Sequence, residues 1–155
     1  MKTLILGIGN LLLTDEGVGC HAARALQMEE LPADVTVFEA GTDFLSALPE
    51  IEQAERIIIV DAMQGDEAPG TVYRVPFENC IKPECIASLH GFDLSRALYL
   101  AGRDTVPEVV VFGVEPSRID WGVELSPQVL EMLPSVIEAV KAEIERDEKE
   151  QPCLE

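Results

Sequence analysis

The sequence predicts an α/β protein, a three-layer α/β/α sandwich around a mostly parallel, twisted central sheet of about five strands. Three observations carry that expectation. Short apolar runs alternate with segments of helical periodicity, the pattern of strands joined by right-handed crossover helices. "RIIIVDA", Arg56 to Ala62, holds an unbroken β-branched run from Ile57 to Val60, as expected at the centre of a sheet covered on both faces. "LILGIGN", Leu4 to Asn10, runs an apolar strand into a Gly-x-Gly turn, as a nucleotide-binding strand would. A chain of 155 residues is expected to form one domain over 1–150, followed by a charged, frayed tail at 151–155.

The elements follow in order. "KTLILGI" is the first buried strand, and Asp15 to Met28 reads as a helix with Val18, Ala22, Ala25 and Leu26 on one face. "DVTVFEA" is the second strand. Phe44 to Ala54 is a short helix disturbed by Pro49. After "RIIIVDA", the segment "PGTVYRVPF" reads as an edge strand, because Pro76 has no N–H for a ladder. Asn79 to Ala87 is irregular, and Leu89 to Ala101 is helical. "PEVVVFGVEP" is the last strand. The final helix starts at Ser126-Pro127, a cap followed by a proline at the favoured first position, and runs to about Lys149 with a kink or break at Pro134. The chain shows no internal repeat, low-complexity block or linker.

Composition narrows the partners. Hydrophobic residues make up 47% of the chain, as in a folded protein. A formal net charge of -18 argues against nucleic acid or an anionic membrane surface, and fits a basic protein partner or a metal cation as well as plain solubility. Lys2 before an apolar run imitates a signal peptide, and "VGC" at Val18 to Cys20 imitates a lipoprotein box. Asp15 and Glu16 interrupt both patterns. No apolar run reaches the ~20 residues of a membrane span. The protein is therefore expected to be cytoplasmic, with Cys20, Cys80, Cys85 and Cys153 as reduced thiols. Cys80, Cys85 and His90 are evenly spaced but match no familiar zinc pattern.

The Gly-x-Gly turn departs from the dinucleotide fingerprint. Leu12 stands where the third glycine belongs, and the acidic pair Asp15-Glu16 would repel a phosphate. In open α/β sheets ligands gather at the carboxyl ends of the strands. Three metal-competent side chains map there: Glu16 after the first strand, Asp61 at the end of "IIIVD", and His90 in "SLHGFDL". Two carboxylates and an imidazole suit a borderline divalent ion with positions left open. Each also has a plain structural reading. Asp15 or Glu16 can serve the helix macrodipole, an Asp after a strand can cap the next turn, and a lone histidine can simply be hydrogen-bonded.

"GIGNLLLTDEGVG" resembles the opening motif of the nickel–iron hydrogenase maturation endopeptidases. The resemblance continues through "EAGT" (Glu39 to Thr42), "IIIVDAMQGDEAPGTV", "SLHGFDLSRAL" and "VFGVEPSRIDWGVELSPQV", in the family's order. It implies a cytoplasmic protease, expected to be monomeric, that removes a short C-terminal extension from a hydrogenase large-subunit precursor after nickel insertion. The family's metal-contacting acid, aspartate and histidine fall on Glu16, Asp61 and His90. The resemblance also implies that the nickel is carried by the substrate, with no organic cofactor. One departure stands out: the family usually has Asp-Gly-Gly-Thr where this chain has Glu39-Ala40-Gly41-Thr42. Glu39, a possible supporting acid, is one methylene longer, and a flexible glycine is lost.

The nucleophile stays open at this level. Ser88 and Ser95 show no histidine–acid relay, and Cys20 and His21 are adjacent on a helix and point apart. A metal-polarised carbonyl or metal-bound water, with Glu16 or Asp61 as base, fits the residue types better. Recognition of metal and catalysis by it are not separable from sequence. Two other classes stay in view: a non-catalytic nickel-binding assembly chaperone using the same ligands, and a nucleotide-binding α/β protein.

Overall fold

A computed structural model describes residues 1–76, 102 and 107–150. Strands β1 (Thr3–Ile8), β2 (Val35–Gly41), β3 (Arg56–Ala62), β4 (Val72–Pro76) and β5 (Glu108–Val114) form one sheet in the order β2-β1-β3-β5-β4. β2, β1, β3 and β5 run parallel, and β4 is antiparallel at the edge. The helices are α1 (Val18–Gln27), α2 (Leu48–Gln53) and α3 (Pro127–Glu150). The irregular stretch Asn79–Ala87, the helix expected over Leu89–Ala101, Cys80, Cys85, Cys153, His90 and the tail at 151–155 all lie outside the described residues.

Strand alternation divides the apolar residues between two cores. Ile5, Ile58, Val110 and Phe112 pack with Val18, Ala22 and Leu26 of α1 and with Val136, Val140 and Ile144 of α3. Leu6, Ile57, Ile59 and Val111 pack on the other side with Ala47, Ile51 and Ala54 around α2. Every residue of β1 and of β3 is buried, which is why both read as continuous apolar runs. Each fully buried Leu or Ile contributes about 1.5–3 kcal/mol, so the two strands anchor both layers. The edge strand carries Pro76 opposite Val110, as its missing N–H requires.

Three local expectations change. The first helix does not run unbroken from Asp15. A 3-10 turn over Thr14–Gly17 precedes α1, entered through Thr14 at φ 47°. The Thr14 and Asp15 amides bond to the carbonyls of Gly122 and Arg118, which ties the turn to a distant loop. Pro49 falls in the first turn of α2, where its missing N–H costs no helical bond, and a 3-10 turn over Phe44–Ala47 leads into it. The last helix runs through Pro134 without the break that was one of the two expected outcomes there. That proline is solvent-exposed, so water can satisfy the carbonyl it leaves unpaired. Ser126 caps α3 as expected: its carbonyl accepts from Leu130 N and its hydroxyl from Val129 N.

At the amino edge of the sheet Arg56, 1% exposed, donates to the Glu143 carboxylate at 2.7 Å, and Arg74 forks onto the same carboxylate at 2.8 Å. This network, buried at Arg56 and Glu143 and half-exposed at Arg74, clamps β3 and β4 to α3. The guanidinium of Arg74 beside Glu143 holds its carboxyl below the usual carboxylate range. At the carboxyl edge, the chain leaves β1 toward β2 and leaves β3 toward the opposite side of the sheet. The loops therefore part between β1 and β3, and a crevice opens there.

Candidate functional site

Close packing by three glycines builds that crevice. A Cβ on Gly7 would collide with the Gly19 carbonyl, and one on Gly19 would collide with the carbonyls of Ile8 and Val60. Helix α1 thus lies against the backbones of β1 and β3. Gly9, at φ +135°, has no room for a side chain either, because the Glu16 carbonyl fills that space. The Oδ1 atom of Asp61 lies 3.6 Å from the same point. The backbone of Glu16 and the carboxylate of Asp61 therefore meet at Gly9, in the crevice between β1 and β3. Asp61 is 2% exposed and Glu16 8%. One Asp61 oxygen accepts the Ala62 N–H at 2.8 Å, which fixes the carboxylate at the strand end. His90 lies outside the described residues, so the structure is silent on the third member of the set.

The acidic pair divides into two tasks. Asp15 is fully buried and accepts from Ser117 N, Arg118 N, Ser126 N and Ser126 Oγ at 2.7–2.9 Å. Its carboxylate also sits at the amino end of α3, where negative charge is favoured. The plain structural reading holds for this residue, through tertiary contacts and not through its own helix. No sequence pattern pointed to those partners.

Glu39 is forked by Arg24 of α1, at 2.8 and 2.9 Å. The pair is partly exposed and adds little stability, but it orients the acid that replaces the family's aspartate. Cys20 is fully buried and its thiol donates to the Gly9 carbonyl at 3.5 Å. Burial and the nearby Glu39 push its pKa up to about 11, so the thiol stays protonated at neutral pH. His21 turns toward the Val123 backbone, and burial lowers its pKa. The cysteine-nucleophile reading loses both its thiolate and its imidazolium.

A further acid was missed by sequence reasoning. Glu115, buried at the end of β5, accepts from Gly65 N at 2.7 Å and Tyr73 Oη at 2.8 Å. It braces the segment that follows Asp61, and its carboxylate together with burial pushes Tyr73 up to about 12. "GVEP" was its only signal. A cavity of about 530 Å³ opens at the opposite edge of the sheet, beside Lys2, Asp34, Thr36, Glu50 and Gln53. It is remote from Glu16 and Asp61, and the chemistry of the strand ends outweighs its size.

The sequence model of the hydrogenase maturation proteases matches residues 20–143. The chain belongs to that family. It is 32% identical over 151 residues to the hydrogenase 2 maturation protease of Escherichia coli, covering 92% of this chain and 90% of that one. It is 33% identical over 145 residues to the hydrogenase expression/formation protein HupD of Thiocapsa roseopersicina, covering 88% of this chain and 65% of that protein. The fold superposes on the E. coli hydrogenase maturating endopeptidase HybD with a TM-score of 0.78, at 29% identity and 95% and 94% coverage. The HybD maturation protease of Thermococcus kodakarensis gives 0.78 as well, at 29% identity and 92% and 98% coverage.

This maturation protease is thus a hydrolase with the fold of its relatives. The protease reading, and not that of a non-catalytic chaperone, is the one these relatives support. The nucleotide-binding reading falls away, since the Gly-x-Gly turn serves packing. Among the described residues no three His, Cys, Asp or Glu side chains stand close enough to hold a metal ion. Among them, too, no helix is long and apolar enough to cross a membrane.

Proposed function

We propose that this chain is the endopeptidase that removes the C-terminal extension of a nickel–iron hydrogenase large-subunit precursor after nickel insertion. Residues 1–150 act as one cytoplasmic, monomeric unit, and the nickel belongs to the substrate. The observation that carries the reading is the meeting of the Glu16 backbone and the Asp61 carboxylate at Gly9, in a chain of the maturation protease family. The carboxylates of Glu16 and Asp61, with the imidazole of His90 that the family resemblance adds to them, make an oxygen/nitrogen set suited to a divalent ion.

The metal, held by the precursor, supplies Lewis acidity and a fixed point for docking. The residues of the protease do the rest. Asp61, its Oδ1 fixed by the Ala62 N–H beside Gly9, is the carboxylate that docks on the ion. Glu16 is the base for the attacking water, or the second anchor on the ion. A substrate held at two points keeps its scissile bond in register, and such orientation is worth several kcal/mol of the barrier. Cys20 takes no part.

The test uses precursor purified from nickel-starved cells, incubated with the protease before and after nickel reconstitution. The reconstituted precursor is expected to shift in mobility on a gel, and the nickel-free form to stay uncut at high enzyme concentration. Equal cleavage of both forms would show that Glu16, Asp61 and His90 do not read substrate metal.

A further inference from the structure

Beside the crevice the surface carries an apolar cluster that the chemistry above does not use. Leu12 is 55% exposed, Trp121 77% and Val123 64%. They come from loops far apart in sequence that are joined by a parallel bridge between Leu13 and Gly122. The Leu12 carbonyl takes the Gly122 N–H, which draws the backbones at Leu12 and Trp121 alongside each other with both side chains exposed. The join is firm. Gly122 N donates to Leu12 O at 2.9 Å, Thr14 N to Gly122 O at 2.8 Å, and Thr14 Oγ1 to Arg118 O at 2.6 Å. Asp15 fastens the same loop from beneath through Ser117 N and Arg118 N.

Single exposed apolar residues are ordinary, but a tryptophan and a leucine held together on a rigid loop pair are what an interface anchor requires. Rigid presentation also lowers the entropy lost on binding. We infer that Leu12 and Trp121, with Val123, form the docking surface for the folded large-subunit precursor, received on an apolar patch with a basic rim. This rests on the protease reading and deepens it. Two observations choose the occupant. Leu12 lies on the loop that joins Gly9 to Glu16, so whatever brings a scissile bond to the crevice continues onto it. The exposed Asp120 and Glu124 flank the apolar residues in a chain of net charge -18, which calls for basic groups opposite. Asp120 already engages Arg118 at 3.2 Å, so the rim tunes encounter more than affinity.

The experiment compares the full-length wild type with Trp121→Ala, Leu12→Ser and Met28→Ala on nickel-loaded precursor. Met28 is 88% exposed at the far end of α1 and serves as control. Cleavage kinetics separate KM from kcat, and interferometry reads Kd whether or not cleavage follows. Trp121→Ala and Leu12→Ser are each expected to raise KM and Kd by about tenfold or more, with kcat and melting temperature held and Met28→Ala unchanged. Wild-type KM and Kd in both patch variants, or a loss confined to kcat, would overturn the inference. If the wild type binds the precursor tightly but leaves it uncut, the protease reading fails while the Kd comparison still decides the patch. Precursor that does not bind the wild type overturns both.

Discussion

Asp15 and Glu16 are chemically alike neighbours, and the structure predicts opposite consequences for neutralising them. Asp15 accepts three donors on Oδ2 (Ser117 N, Arg118 N and Ser126 Oγ) and one on Oδ1, Ser126 N. In Asp15→Asn one of the two oxygens becomes an NH2 group. Keeping the carbonyl at the three-donor position sets the new NH2 against Ser126 N–H, so a charge-assisted bond becomes a donor–donor contact. Such a bond is worth about 1.5–3 kcal/mol, and the lost attraction to the amino end of α3 adds up to about 1 kcal/mol. The expected destabilisation is about 3 kcal/mol, or roughly 6–12 °C in melting temperature for a chain of this size. Glu16→Gln should change stability by less than about 1 kcal/mol while abolishing processing, because its proposed task is at the crevice. Urea unfolding of both variants, paired with the gel assay on nickel-loaded precursor, reads the contrast. Wild-type stability in Asp15→Asn would refute the structural role, and processing by Glu16→Gln would refute the functional one.

Cys20→Ser should process precursor at the wild-type rate; a loss of cleavage with a normal melting curve would revive a thiol mechanism. Burial and the nearby Glu39 raise the Cys20 thiol to about 11, so it is protonated at pH 7. Glu143→Gln should cost about 3 kcal/mol at neutral pH, because it removes the charge of the carboxylate that buried Arg56 and Arg74 share. The Glu143 carboxyl sits below its ordinary value of 4.5, so its contribution is complete above that pH and is lost as pH falls through the lowered value. Denaturant titrations should therefore show the gap between wild type and Glu143→Gln narrowing only below about pH 4.5, and a pH-independent gap would contradict the ion-pair account.

The fold was legible because burial writes itself into the sequence. β1 and β3 are buried on both faces, and "TLILGI" and "RIIIVDA" have no polar alternation to blur them. Pro76 marked the edge strand, and Ser126-Pro127 marked the start of α3. Asp61 was legible as the acid at a strand end. What escaped was held by partners remote in the chain. The donors to Asp15 lie 102 to 111 residues away, and those to Glu115 lie 42 and 50 away. No periodicity records such pairs. The fork between Arg24 and Glu39 was hidden for a related reason, since β2 lies beside α1 only after the crossover closes.

The missing third glycine has a physical explanation in the same terms. A phosphate site at a strand end needs unpaired N–H groups at a helix start. Here the amides of Thr14, Asp15 and Glu16 are spent on the carbonyls of Gly122, Arg118 and Leu13. An anion would find those three amides already engaged. The tight helix–sheet contact that a third glycine would allow is supplied later, by Gly19 against Ile8 and Val60. Leu12 is thereby released from packing and turns outward beside Trp121, while the loop folds back on its bridge to Gly122. The strand end keeps the crevice of an open α/β sheet, but three amides of its loop are consumed internally and a carboxylate, that of Asp61, stands beside Gly9. That is the arrangement the proposed cation reading requires, and the opposite of a phosphate cradle.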